Sequence, residues 1–105
     1  MTKNMTNHAQ VDRYARLAYI VDTVGLGEVI AEIPNEDYRG GFKRLTSTGV
    51  VIVVSKDART IVTAYIAKLG QAEKIYRTSR NGQSLSQNMA RRIINNEKYR
   101  VNQPC

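Results

Sequence analysis

Residues 50–54 read Val-Val-Ile-Val-Val, five β-branched side chains in an unbroken row. Such side chains are stiff at χ1 and suit a pleated strand better than a helix. A strand without alternation needs cover on both faces. A polar stretch, Ser55-Lys56-Asp57-Ala58, follows and supplies the residues of a hairpin connection, after which Ile61–Ile66 alternates. Val62, Ala64 and Ile66 fall on one face of this second strand, expected to be its core face, and Ile61, Thr63 and Tyr65 on the other. Thr63 and Tyr65 therefore set two hydroxyls side by side on an otherwise apolar element.

Two further strands precede this pair. Residues 28–33 alternate up to Pro34, which ends the segment, and residues 42–47 set Phe42, Arg44 and Thr46 on one face against Lys43, Leu45 and Ser47 on the other, a strand that carries cationic side chains. Three short connections in succession predict an antiparallel meander of strands 28–33, 42–47, 50–55 and 60–66. Residues 8–24 have helical spacing, with Val11, Ala15, Ala18 and Val21 as the expected buried stripe and Leu17, Ile20 and Val24 widening it. Thr6 or Asn7 suits the N-cap, and Gly25 and Gly27 the stop. After the sheet, residues 71–77 form a short helix. A last helix capped by Ser84 runs to about Tyr99 and buries Leu85, Met89 and Ile93, with Ala90 and Ile94. The expected fold class is α+β: an N-terminal helix packed on a four-stranded antiparallel sheet, with C-terminal helices.

At 105 residues the chain is long enough for one core, so residues 1–105 are expected to be a single domain, with a helix-plus-sheet core over 8–66 and a basic helical tail over 68–105. No apolar run approaches the roughly 20 residues of a membrane span, and the polar start has no signal-peptide core. One cysteine, Cys105, can make neither an internal disulfide nor a metal cluster. These features lead us to expect a cytoplasmic protein without cofactor or metal. The net charge of +7 is concentrated near one end. Residues 1–67 hold eight Lys/Arg against seven acids, whereas residues 68–105 hold eight against Glu73 and Glu97 alone. A field of that sign attracts polyanions, nucleic acid foremost. Arg91, Arg92 and Lys98 of the last helix are the expected phosphate contacts, and an acidic protein surface is the competing partner. The two open edges of a meander also admit a homodimer.

The only histidine, His8, shares a helix flank with Asp12 and Arg16, with Arg13 on the neighbouring edge. An imidazole ordinarily titrates near neutral pH and suits proton transfer. Taken together, several features resemble a group of small bacterial toxin ribonucleases that includes barnase-like, EndoU-like, colicin-like and RelE-like domains. They are His8-Ala9 opening a helix with Arg13 and Arg16 behind it, then Gly27-Glu28-Val29-Ile30, an acidic Pro/Gly-containing loop, Val50–Val54, and Ile61-Val62-Thr63-Ala64-Tyr65. The match spans roughly residues 8–66. Ala64 departs from the bulkier apolar residue usual between the Thr and the Tyr, and the basic segment 67–105 lies beyond the matched part. The resemblance implies a metal-independent RNA-cleaving site lined by His8, Arg13, Arg16, Thr63 and Tyr65, and it brings with it an antitoxin as a partner. His8 would act as base or acid, Tyr65 as proton donor or phosphate ligand and Thr63 as a positioning hydroxyl, with Arg16 and Arg44 stabilising phosphate charge. The alternative function is a non-catalytic basic accessory protein of phage or plasmid type, binding nucleic acid or an acidic host protein through its tail.

Overall fold

In the computed structural model, which describes residues 14–36 and 40–104, the β-branched run is strand β3, Val50–Val54. It lies between β2 (Phe42–Thr46) and β4 (Ile61–Ile66), and β1 (Val29–Pro34) completes an antiparallel meander in the order β1-β2-β3-β4. A helix over residues 14–23 (α1) precedes the sheet; α2 (Leu69–Ser79), α3 (Gln87–Asn95) and α4 (Glu97–Val101) follow it. The expected α+β class and strand order are both present.

The run lacks alternation because both of its faces are covered. Val51 and Val53 join Leu45, Ala31, Ala72, Ile75 and Ile93 in one cluster, so α2 and α3 pack on that face. Val50, with Ile52 beside it, joins Ala64, Ile66, Ile20, Leu17 and Tyr99 in a second cluster formed with α1 and α4. The protein is therefore a three-layer sandwich, helices over sheet over helices.

Several expectations about facing are corrected. In α1 the buried residue is Ile20, flanked by Leu17 and Val24, whereas Ala15, Ala18 and Val21 face solvent and Val11 lies outside the described residues. The helix is apolar around most of its circumference, so periodicity alone allowed two directions. Gly25 ends it as expected, at φ +76° with its N–H bonded to the Ile20 carbonyl. The last helix breaks at Asn96, and its cap is Ser86, whose hydroxyl accepts the Met89 N–H at 3.1 Å. Ile94 is 55% exposed, and Leu85 is buried just ahead of the helix. In β4, Ala64 and Ile66 are buried, but Val62 is half exposed.

The turn between β2 and β3, Thr46-Ser47-Thr48-Gly49, ties the layers together. Thr46 is the buried polar residue of the core. The Thr48 hydroxyl donates to the Gly25 carbonyl at 2.7 Å. Its single hydrogen is then committed, so in the 3.1 Å contact between the two hydroxyls Thr46 is the donor. The lone pairs of Thr46 Oγ1 accept the N–H groups of Val50 and Thr48. From the other side, Asn96 Nδ2 donates to the Thr48 carbonyl and Arg92 Nη1 to the Ser47 carbonyl, each at 3.1 Å. Gly49 has φ +86°, and a Cβ there would stand 2.8 Å from Ile93 Cγ1. The absence of a side chain lets α3 close onto the turn.

Side chains from the tail also meet both sheet edges. On β1, the Glu32 N–H donates to Ser79 Oγ at 3.3 Å, and Arg80 Nη2 donates to the Ile30 carbonyl at 2.8 Å. On β4, the Ile66 N–H donates to Gln103 Oε1 at 3.1 Å. Edge groups met in this way are less available for pairing with another chain.

Replacing Thr46 by Val keeps shape but removes the hydroxyl that accepts the buried Val50 N–H and the partly buried Thr48 N–H. Urea unfolding should show a loss of about 1–3 kcal/mol, the cost of stranding buried polar groups. Leu45→Ala, a cavity at a fully buried site, should lose about 2–5 kcal/mol. An unchanged midpoint for Thr46→Val would contradict the role given to the turn.

Candidate nucleic-acid interface

The two helical layers carry unequal charge. Residues 68–96, which contain α2 and α3, hold Lys68, Lys74, Arg77, Arg80, Arg91 and Arg92 against Glu73 alone, a balance of +5. On the opposite face, the described part of α1 balances Arg16 against Asp22, and α4 has Lys98 and Arg100 against Glu97. One layer is basic and the other nearly neutral.

Not every cation of the basic layer is free. Arg77 pairs with Glu73 at 3.2 Å and donates to Ser84 Oγ. Arg80 holds the β1 edge while its guanidinium lies 5.5 Å from the centre of the Tyr76 ring, and Arg92 holds the turn at Ser47. A guanidinium with five donors can spend one on a carbonyl and keep others for a phosphate. Lys68, Lys74 and Arg91 are exposed and have no ion-pair partner among the described residues. Lys98, on α4, sits 5.0 Å from the centre of the Tyr99 ring.

The residues tied to RNA cleavage are only partly brought together. His8 and Arg13 lie outside the described residues, as does Cys105. Arg16, on α1, donates from Nη1 to Thr63 Oγ1 at 3.4 Å and from Nε to the Pro104 carbonyl at 2.8 Å. Two candidates 47 positions apart in sequence thus meet at the β4 edge. Tyr65 pairs in register with Val51, and its ring packs against the cluster beneath α2 and α3. The sheet lies between that cluster and the Ile20 cluster of α1, so packing separates the Tyr65 ring from the layer that carries Arg16. Arg44 stands opposite Glu32 in the β1–β2 register, and its Nε reaches Glu32 Oε1 at 2.6 Å. Partly exposed pairs of this kind contribute about 0–1 kcal/mol. The pair lies on the sheet row that continues through Ile52 to Ala64, the α1 side.

A cleft of about 580 Å³ lies elsewhere, between the β1–β2 connection and the β3–β4 hairpin, lined by Asn35, Gly40, Val53, Ser55, Lys56, Asp57 and Val62. Among the described residues no group of His, Cys, Asp or Glu is placed to hold a metal ion, and no helix is long and apolar enough to cross a membrane. Sequence reasoning missed the structural roles of Arg80, Arg92 and Ser79. Each bond spans 45 or more positions, and no local pattern announces it. The chain matches no known protein family, no curated protein and no solved structure.

At the hairpin, the Ser55 hydroxyl and then the Arg59 N–H, both donating to Asp57 Oδ1, hold the Asp57 carboxyl below its ordinary value of 3.8. A carboxylate whose pKa is depressed by folding adds stability above the unfolded value, and that contribution fades as pH falls through the folded value. An NMR titration should therefore place the Asp57 midpoint below 3.8, with the Arg59 amide signal moving in step. A midpoint at or above 3.8 would contradict the hydrogen bonding described.

Proposed function

We propose that the protein binds nucleic acid, RNA in the first instance, through the α2–α3 layer and without sequence preference. The charge asymmetry carries the proposal: +5 lies over one sheet face while the opposite helical layer is nearly neutral. A one-sided cationic surface, on which Lys68, Lys74 and Arg91 have no ion-pair partner among the described residues, neutralises phosphates and releases their counterions, and it needs no pocket to do so. Arg91, Arg92 and Lys74 are the leading phosphate contacts, whereas Lys98, expected among them from the sequence, belongs to α4 in the opposite layer. An acidic protein, whether an antitoxin or a host factor, would compete for the same cations.

A metal-independent endoribonuclease activity is the second reading, favoured by the meeting of Arg16 with Thr63. Cleavage at the RNA's own 2′-hydroxyl needs a base, an acid for the leaving oxygen, and cations for the growing phosphate charge. Arg16 would stabilise that charge beside the Thr63 hydroxyl, with His8 the base or acid. Tyr65, fixed by packing on the other side of the sheet, is the weakest member of the set.

Reversing Lys74 and Arg91 to Glu together should weaken RNA binding whatever the sequence. The double change should also reduce the slope of log K against log salt by about 0.7–0.9 for each phosphate that is no longer neutralised. Fluorescence anisotropy across a salt series measures both effects, and unchanged binding would remove the α2–α3 layer from the interface. For the catalytic reading, purified protein in EDTA should leave 2′,3′-cyclic phosphate ends on RNA, and His8→Ala should slow cleavage by about 10²- to 10⁴-fold. Intact RNA after prolonged incubation would leave binding as the activity.

A further inference from the structure

The outer face of α1 has an unusual make-up for a helix on the surface of a chain carrying +7. Tyr14, Ala15, Ala18, Val21 and Asp22 recur at helical spacing on one side, opposite the Leu17–Ile20–Val24 side that packs on the sheet. All five are exposed, Tyr14 at 64% and Val21 at 51%. Only Asp22 is charged. A solvated helix face is ordinarily polar, whereas this one is apolar with small residues at its centre, the composition that lets another helix approach closely.

We propose that this face is the interface of a homodimer, with a second copy of the chain as its occupant. Two observations select a second copy over an unrelated partner. The first is charge. The α2–α3 layer repels another copy of the same chain, while the described part of α1 balances Arg16 against Asp22 and lets two copies meet with the least like-charge repulsion. The second is self-complementarity, which a two-fold contact demands because each patch meets itself. An antiparallel pairing of two α1 helices centred on Ala18 sets Ala18 against Ala18, Ala15 against Val21, and Tyr14 against Asp22. Neither Tyr14 nor Asp22 has a hydrogen-bond or ion-pair partner among the described residues. In the pairing each Tyr14 hydroxyl donates to the Asp22 carboxylate of the other copy, twice per dimer. The sheet edges, already met by Ser79, Arg80 and Gln103, take no part. The dimer leaves both basic layers facing outward, so that two nucleic-acid surfaces act on one strand; the dimer itself does not depend on that activity.

Sedimentation velocity of the full chain from micromolar to millimolar concentration tests the proposal. The parent protein should shift from monomer to dimer as concentration rises. Ala18→Glu faces two carboxylates across the two-fold axis and should raise the dimer dissociation constant by about 100-fold or more. Its thermal midpoint at low concentration should stay at the parent value, since the site is exposed and Glu is a good helix former. Tyr14→Phe should weaken the dimer by about tenfold through loss of the charge-assisted hydrogen bond. A parent protein that stays monomeric throughout, or a dimer that survives Ala18→Glu with the fold intact, would overturn it.

Discussion

The architecture depends on the buried Thr46 hydroxyl and the turn it organises. Through Thr48 it reaches the Gly25 carbonyl and so fixes the exit of α1. Through the Thr48 and Ser47 carbonyls it receives Asn96 and Arg92 of the tail. The bare Cα of Gly49 lets Ile93 close the space beneath. Two helical layers on opposite faces of the sheet are thereby held to one reference point at the end of the β2–β3 hairpin. Buried polar networks of this sort are expensive when partly satisfied and rigid when complete. Here no buried side-chain nitrogen or oxygen among the described residues lacks a partner.

From that anchoring follows the division of the surface. The α2–α3 part of the tail covers the sheet face opposite α1 while α4 returns to the α1 side, and Arg80 and Arg92 reach back to β1 and to the turn. Much of the positive charge that marks the tail in sequence therefore also fastens it. Fastening and binding are compatible for arginine, whose planar fork offers more donors than one carbonyl can use. Among the described residues, Lys68, Lys74 and Arg91 have no side-chain ion pair. Function is consequently expected from a surface rather than from a pocket, and of the described candidates for catalysis Arg16 and Thr63 alone meet, at the β4 edge. There Arg16 is shared between Thr63 and the Pro104 carbonyl.

The meander was legible in the sequence because β-branched runs and short polar connections leave few alternatives to neighbouring antiparallel strands. The second layer of helices was less so. The unalternating Val50–Val54 called for cover on both faces, but placing Tyr65 required knowing that the tail supplies it. The facing of α1 was misread for a related reason. Tyr14, Ala15, Ala18 and Val21 form as good an apolar stripe as Leu17, Ile20 and Val24, and only packing distinguishes them. The break at Asn96 has no glycine or proline to mark it and coincides with a side-chain bond to Thr48, 48 positions away. The Arg16–Thr63 contact gives spatial form to a pairing that the order of residues could only suggest.

The central claim is that nucleic acid meets the α2–α3 layer and leaves the α1–α4 layer free. Titrating single-stranded RNA into isotopically labelled protein and following backbone amide shifts tests it most directly. The account predicts that the largest shifts cluster at Lys68, Lys74, Arg77, Arg91 and Arg92 and disappear at high salt, with the amides of Ala15, Ala18 and Val21 unmoved. Shifts centred on α1 or on the Ser55–Ala58 hairpin, or none at low salt, would contradict it.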